Sequence, residues 1–233
     1  MQLSAKRNAF TLIELLVVVA ILAALAGLLA PALNGASAKS KAARCLSNLR
    51  QWNMALAIYM HENDDAIPRR GQGIQPLRDI DRPEDWINSL PPYISQPTFQ
   101  SMVTNRAIPK PGDNSVWVCP TARATTNDYF LSYGMNFYLS PSLRPAPHRL
   151  PEIPRPATLA FMADGGGASS STVPSAKDYS VQPRHVARAN VTFLDGHAQN
   201  FAGDYLGCGL GAIEHPDIHW QTESAGVNHP PIP

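Results

Sequence analysis

His185, Asp195 and His197, with Asp164 upstream, are the residues whose types and spacing invite chemistry in this chain. Imidazole nitrogens and carboxylate oxygens gathered at one edge of a sheet form a donor set for a divalent metal. The same residues also make a structural clasp, in which Asp195 and Gly196 shape a turn and His185 hydrogen-bonds it. The clasp is the preferred reading. Cys45, Cys119 and Cys208 contain no Cys-x-x-Cys pair, so their spacing suggests neither a structural zinc site nor a thioredoxin-like motif. Cys45 and Cys119 either join helix to sheet as a disulfide, which a non-cytoplasmic compartment permits, or lie there as buried free thiols. Catalysis has the least support. No Gly-x-Ser-x-Gly, His-Glu-x-x-His or phosphate-binding glycine loop occurs, and Ser169, Ser170 and Ser171 read as linker. The chain is therefore expected not to be an enzyme and to need no cofactor.

These residues must be positioned by strands. Ala157–Gly165 and Ala189–Gly196 are two similar segments, each an apolar run stopped by Asp-Gly. In that dipeptide Gly allows positive φ and Asp bonds its own backbone. The pair predicts neighbouring antiparallel strands, the second continuing through 197–201 as a hairpin. Earlier strand signals are Val116–Cys119, closed by Pro120, and Leu131–Tyr138, whose Gly134 marks a bulge or a close backbone approach. Six prolines between 141 and 156 exclude a central strand there. Residues 69–115 are poorly periodic, with one helical turn expected at Trp86–Leu90. The tail after Ala202 is rich in glycine and proline and reads as loop or partly disordered.

The sheet in turn needs a surface to lie on. Cys45, Leu49, Trp52, Leu56 and Tyr59 follow an i, i+4, i+7, i+11, i+14 spacing, one face of a helix. Lys41, Arg44, Asn48, Gln51 and Ala55 fall largely elsewhere, and His61–Asp65 with Pro68 end the helix. Upstream, the 24 residues from Phe10 to Leu33 carry a single charge, Glu14. As a helix that run is roughly 36 Å long at about 1.5 Å per residue, enough to cross a bilayer core of about 30 Å. Lys6 and Arg7 before it predict a cytoplasmic N-terminus. A carboxylate at mid-membrane depth costs about 2.5–3.5 kcal/mol, so Glu14 demands a partner. Pro31 removes one helical hydrogen bond and is expected to bend the helix, and Asn34 and Gly35 weaken it further.

The junction Ala9-Phe10-Thr11-Leu12-Ile13-Glu14 resembles the type IV prepilin family, including the pseudopilins of type II secretion: a short basic leader, a small residue, then Phe-Thr-Leu-Ile-Glu and an apolar helix. The resemblance implies that a prepilin peptidase cuts between Ala9 and Phe10 and methylates the new Phe10 amine. It also implies that Glu14 faces the N-terminal ammonium of a neighbouring subunit. Ala9 stands where the family usually has Gly, and Pro31 falls where it often has a proline. His185, nine residues, then Asp195-Gly196, with Tyr133–Asn136 and Asp164 upstream, is similar to the H-X9-DG domain that accompanies such N-termini. Some type II pseudopilins hold calcium near the C-terminal end. Calcium prefers six to eight oxygen ligands, which the histidines suit badly.

Two other readings of the N-terminus compete. One is an ordinary secretory signal cut after Ala36-Ser37-Ala38, although the run is too long for it. The other is an uncleaved single-pass anchor, which leaves Glu14 unexplained. With 19 basic and 18 acidic residues there is no basic stripe, so no nucleic acid is expected. The expected fold is α+β and pilin-like: leader 1–9, transmembrane and assembly helix 10–33, amphipathic stem 34–65, and a loop-rich periplasmic domain 66–233. The 22 prolines fit the last of these. The expected function is a structural subunit of a type II secretion or type IV pilus-like fibre. Its partners are the peptidase, other pseudopilin subunits, an inner-membrane assembly platform and the lipid bilayer. The alternative is a membrane-tethered module whose loops at 69–115 and 141–183 bind polysaccharide or a secreted substrate.

Overall fold

A computed structural model describes residues 11–69, 82–122, 131–139, 148–165, 175–176, 181–208 and 215–221. The chain divides into two compact units, Met1–Ser40 and Lys41–Pro233. One helix, α1 (Leu12–Glu62), supplies the described part of the first and the opening of the second.

In the first unit, Leu12–Leu29 has a mean hydropathy of 2.9 with no residue buried. Leucine, isoleucine, valine and alanine supply nearly all of it, and side chains such as Leu12, Ile13 and Leu28 are exposed. An α+β chain with such a helix has one segment, among the described residues, long and apolar enough to cross a membrane. The helix does not melt at Pro31, Asn34 and Gly35 but runs through them without interruption. Proline forfeits one N–H bond, and the surrounding i to i−4 ladder carries the chain past it.

In the second unit, α1 turns amphipathic as its spacing requires. Cys45, Leu49, Trp52 and Leu56 are fully buried or nearly so, and Tyr59 packs against the same core. Asn48 and Ala55 correct the expectation that they fall outside this face, because both are buried. Trp52 meets Trp117 at 4.7 Å and Trp86 at 5.5 Å, both edge to face. Such pairs contribute roughly 0.5–1.5 kcal/mol beyond area burial. Helix α1 stops where Asp64 and Asp65 take left-handed φ of 52° and 60°. Two short helices follow, α2 (Trp86–Ser89), ended by a 3-10 turn over Pro91–Ile94, and α3 (Phe99–Thr104), which no periodicity announced.

The sheet has five strands: β1 (Tyr133–Asn136), β2 (Ala160–Asp164), β3 (Ser175–Ala176), β4 (Arg188–Phe193) and β5 (Ala198–Ala202). Their order is β3-β1-β2-β4-β5. All pairings are antiparallel except the two-residue parallel edge of β3 on β1. Strand β2 is buried along its whole length, the pattern of a strand covered on both faces. Phe161 and Met162 join the helix-side core, while Ala160 and Ala163 join a second cluster with Val191, Phe193, Phe201 and Trp220.

Val116–Cys119 is not a strand. It is a buried turn laid against α1, where helix side chains satisfy the Val116 and Val118 carbonyls and the Ser132 N–H satisfies that of Trp117. Trp52 Nε1 donates to Val116 O at 3.2 Å and Asn48 Nδ2 to Val118 O at 3.2 Å. Within the described part of the tail, Ile218 and Trp220 are buried, and Asn136 Nδ2 donates to Trp220 O at 2.9 Å.

The two Asp-Gly pairs part ways. Gly196, at φ 98°, makes the expected turn. Gly165 instead continues past β2 in close approach to β1, where an added Cβ would lie 3.1 Å from Gly134 N. The atoms it would meet, Gly134 N and Cα and Tyr133 C, are β1 backbone that cannot yield freely. Gly165→Ala is therefore expected to lose about 1–3 kcal/mol by overpacking, read as a lower thermal midpoint with unchanged helix content by circular dichroism.

Candidate functional site

Asp164 ends β2 with its carboxylate turned into the core, and it is completely buried. Its Oδ2 accepts the Asn190 N–H of β4 at 2.7 Å, and its Oδ1 accepts the Cys45 S–H from α1 at 2.9 Å. His185 Nε2 stands 3.3 Å from Oδ2 and 3.6 Å from Cys119 Sγ. Cys45, Cys119, Asp164 and His185 are all buried, and their donor atoms lie within 4.8 Å of one another. Four separate segments meet here: α1, the buried turn, the end of β2 and the approach to β4.

Local structure fixes each member. Cys45 sits on the buried stripe of α1, and Tyr133 Oη donates to its sulfur at 3.3 Å while accepting from Asn48 Nδ2 at 3.2 Å. Thr121 Oγ1 lies 3.0 Å from Cys119 Sγ and 3.4 Å from His185 Nδ1. Arg184, next to His185, binds the carbonyls of Ser132, at 2.8 Å, and Gly165, which ties the His185 loop to β1 and β2. Beyond His185 the chain reverses through Val186 and Ala187, both left-handed at φ 55° and 60°. His185 and Arg188 exchange backbone hydrogen bonds of 2.9 and 3.2 Å across that turn. A β-branched residue in this region is a genuine outlier, and such strain is of order 1–3 kcal/mol.

The electrostatics divide the two thiols. Burial, with Cys119 and Asp164 beside it, pushes the Cys45 thiol far up. The neighbouring Cys45 thiol pulls Cys119 down to about 5, against burial and with help from His185. Burial pulls His185 down, but its bonds to Asp164 and Cys119 outweigh this and raise it to about 9. The shifts run in opposite directions, Cys119 toward the thiolate and His185 toward the imidazolium. Thiolate and imidazolium together make a nucleophile in other settings, but here both sulfurs have no exposed surface.

The structure rearranges the expected set. It joins His185 to Asp164 but not to Asp195 or His197. His185 therefore does not clasp the hairpin turn, and those four residues do not gather into one metal site. Asp195 pairs with His197 itself, Oδ1 to Nδ1 at 2.6 Å, in the turn between β4 and β5, with both side chains about two-fifths to one-third exposed. Their alternation through the turn aims them away from the core that receives Asp164. Cys45 and Cys119 do come together, as buried free thiols, the second of the two readings, and not as a disulfide. Their membership in a site with His185 and Asp164 was invisible, because no two of the four are neighbours in sequence.

At the other end of the chain, Ala9 and Phe10 lie outside the described residues, and the side chain of Pro31 likewise. Glu14 is described, and it caps its own helix. Its Oε2 accepts Thr11 N–H at 2.9 Å and Thr11 Oγ1–H at 2.8 Å, while Glu14 N–H donates back to Thr11 Oγ1 at 3.3 Å. This is the reciprocal capping box of Thr-x-x-Glu, and that spacing is the signal that reveals it.

The family described as the prokaryotic N-terminal methylation motif matches residues 4–30. No curated protein and no solved structure matches the chain. The matched segment covers the Ala9-Phe10 junction, Glu14 and the apolar helix, and it marks the N-terminus as prepilin-like, a substrate type of prepilin peptidase.

Proposed function

Taking that prepilin-like N-terminus as premise, we propose that the chain is a pseudopilin-like structural subunit of a type II secretion or type IV pilus-like fibre, not an enzyme. A prepilin peptidase cuts between Ala9 and Phe10 and methylates Phe10. The apolar helix anchors the subunit in the inner membrane, with residues 66–233 on the periplasmic side, and then moves from lipid into a bundle of like helices on the assembly platform. The methylation motif over residues 4–30, continued by the unburied apolar helix, carries this reading. Glu14 selects register by meeting a neighbour's Phe10 ammonium.

The capping box sharpens the test. Mass spectrometry of the chain from cells with a prepilin peptidase is expected to find N-methylated Phe10 as the first residue. A start near Lys39 or at Met1 overturns the assignment. Glu14→Gln keeps a cap acceptor, since Gln serves in capping boxes as Glu does, but removes the charge. Both Glu14→Ala and Glu14→Gln are expected to insert in the membrane and fail to enter fibres. Normal assembly of the Gln variant would reduce Glu14 to a helix cap.

A further inference from the structure

We propose that Cys45, Cys119, Asp164 and His185 are a structural zinc site that fastens the C-terminal half of α1 to the sheet. The proposal is independent of fibre assembly and stands on geometry. Zinc holds sulfur at about 2.3 Å and nitrogen or oxygen at about 2.0–2.2 Å in a tetrahedron, which places donor atoms roughly 3.3–3.8 Å apart. Two observed separations fall in that range, 3.3 Å from His185 Nε2 to Asp164 Oδ2 and 3.6 Å from His185 Nε2 to Cys119 Sγ; the 2.9 Å from Cys45 Sγ to Asp164 Oδ1 is shorter, and all four donor atoms lie within 4.8 Å of one another. Four donors from four protein segments close the coordination shell, the arrangement of a structural rather than a catalytic zinc site.

The surroundings are built for anionic ligands. Each of the three negative donors has a hydrogen-bond donor aimed at it: Tyr133 Oη at Cys45 Sγ, Thr121 Oγ1 at Cys119 Sγ, and Asn190 N–H at Asp164 Oδ2. Thr121 Oγ1 also faces His185 Nδ1. It accepts the Nδ1 proton and leaves Nε2 as the ligand atom, the outer-shell pattern that orients metal-bound imidazoles. Two thiolates exclude calcium as the occupant, since soft sulfur favours zinc over hard cations. Binding releases two protons to solvent, one from Cys45 Sγ and one from the Cys119–His185 pair, and forms two Zn–S bonds, one Zn–N bond and one Zn–O bond.

The full chain, purified in detergent under reducing conditions and freed of metal with a chelator, is titrated with zinc alone and with cobalt alone. About one zinc per chain is expected. Cobalt is expected to give a thiolate-to-metal charge-transfer band with the intense visible bands of a tetrahedral ion, displaced by zinc and not by calcium. Thr121→Val, which leaves all four ligands in place, is expected to weaken zinc binding about 10–100-fold. Cys119→Ala is expected to abolish it; because that variant can fail by misfolding, the cobalt spectrum of the unaltered chain decides. Zinc uptake no greater than that of Cys119→Ala, or cobalt spectra lacking thiolate bands, overturns the site. So does recovery of Cys45 and Cys119 joined by a disulfide from the cells that make the protein.

Discussion

Asp164→Ala is expected to lower the thermal midpoint of the protein by roughly 6–20 °C. The estimate follows from about 3–5 kcal/mol for breaking a buried charge pair, at about 2–4 °C per kcal/mol in a domain of this size. The carboxylate is wholly buried and serves three elements at once: the Asn190 N–H of β4, the Cys45 S–H of α1 and the His185 ring. Alanine strips the His185 ring of its carboxylate partner and leaves a backbone N–H without an acceptor in the same stroke. Asp164→Asn keeps one carbonyl oxygen for Asn190 and is expected to fall between alanine and the unaltered chain. Thermal unfolding of the detergent-solubilised protein, followed by far-ultraviolet circular dichroism, checks both. An alanine variant that melts with the parent would mean that the carboxylate is not the hub of the contact.

Trp52→Ala is expected to cost about 3–5 kcal/mol, the range for deleting a large buried aromatic side chain. The indole is fully buried between Trp86 and Trp117, and its N–H reaches Val116 O. The 116–119 turn has no ladder to fall back on, so losing the indole removes both packing and a hydrogen bond from a segment that holds Cys119. Trp52→Phe, which retains a ring but no donor, is expected to lose less. Near-ultraviolet circular dichroism reads the tryptophan cluster directly: the alanine variant should lose most of that signal before any loss of helix signal on heating. Parallel loss of both would place the cluster outside the first melting step.

The helix stripe was legible because burial on one side of a helix leaves a period in the residues themselves. Leu49, Trp52 and Leu56 had only one way to share a face. Strands β2 and β4 were equally legible as apolar runs stopped by Asp-Gly, and β5 as the return strand of the hairpin that follows the second. The 116–119 run carried the same apolar composition as a strand, yet its Val116 and Val118 carbonyls bond helix side chains, and no local pattern records partners 64 and 70 residues away. The site failed for a related reason. Asp195 and His197 stand close to His185 in sequence and were grouped with it, whereas β4 carries them to the opposite end of the strand. Asp164 and Cys45 reach His185 only through the order of strands in the sheet and the seat of α1 upon it. Glu14 posed the reverse problem: its nearest partner, Thr11, was three residues away.

That the four-residue cluster draws on Cys45, Cys119, Asp164 and His185 has a consequence in time. A chain is made from its N-terminus, and segments emerge in that order. Cys45 appears early and His185 late, so the cluster cannot close until most of the chain is out. Through that interval the Cys45 sulfur is unshielded and open to whatever oxidant surrounds it, and a chain cut short before His185 can never finish the contact. Closure of the cluster is in this sense a record that synthesis was completed, written in the position of one thiol.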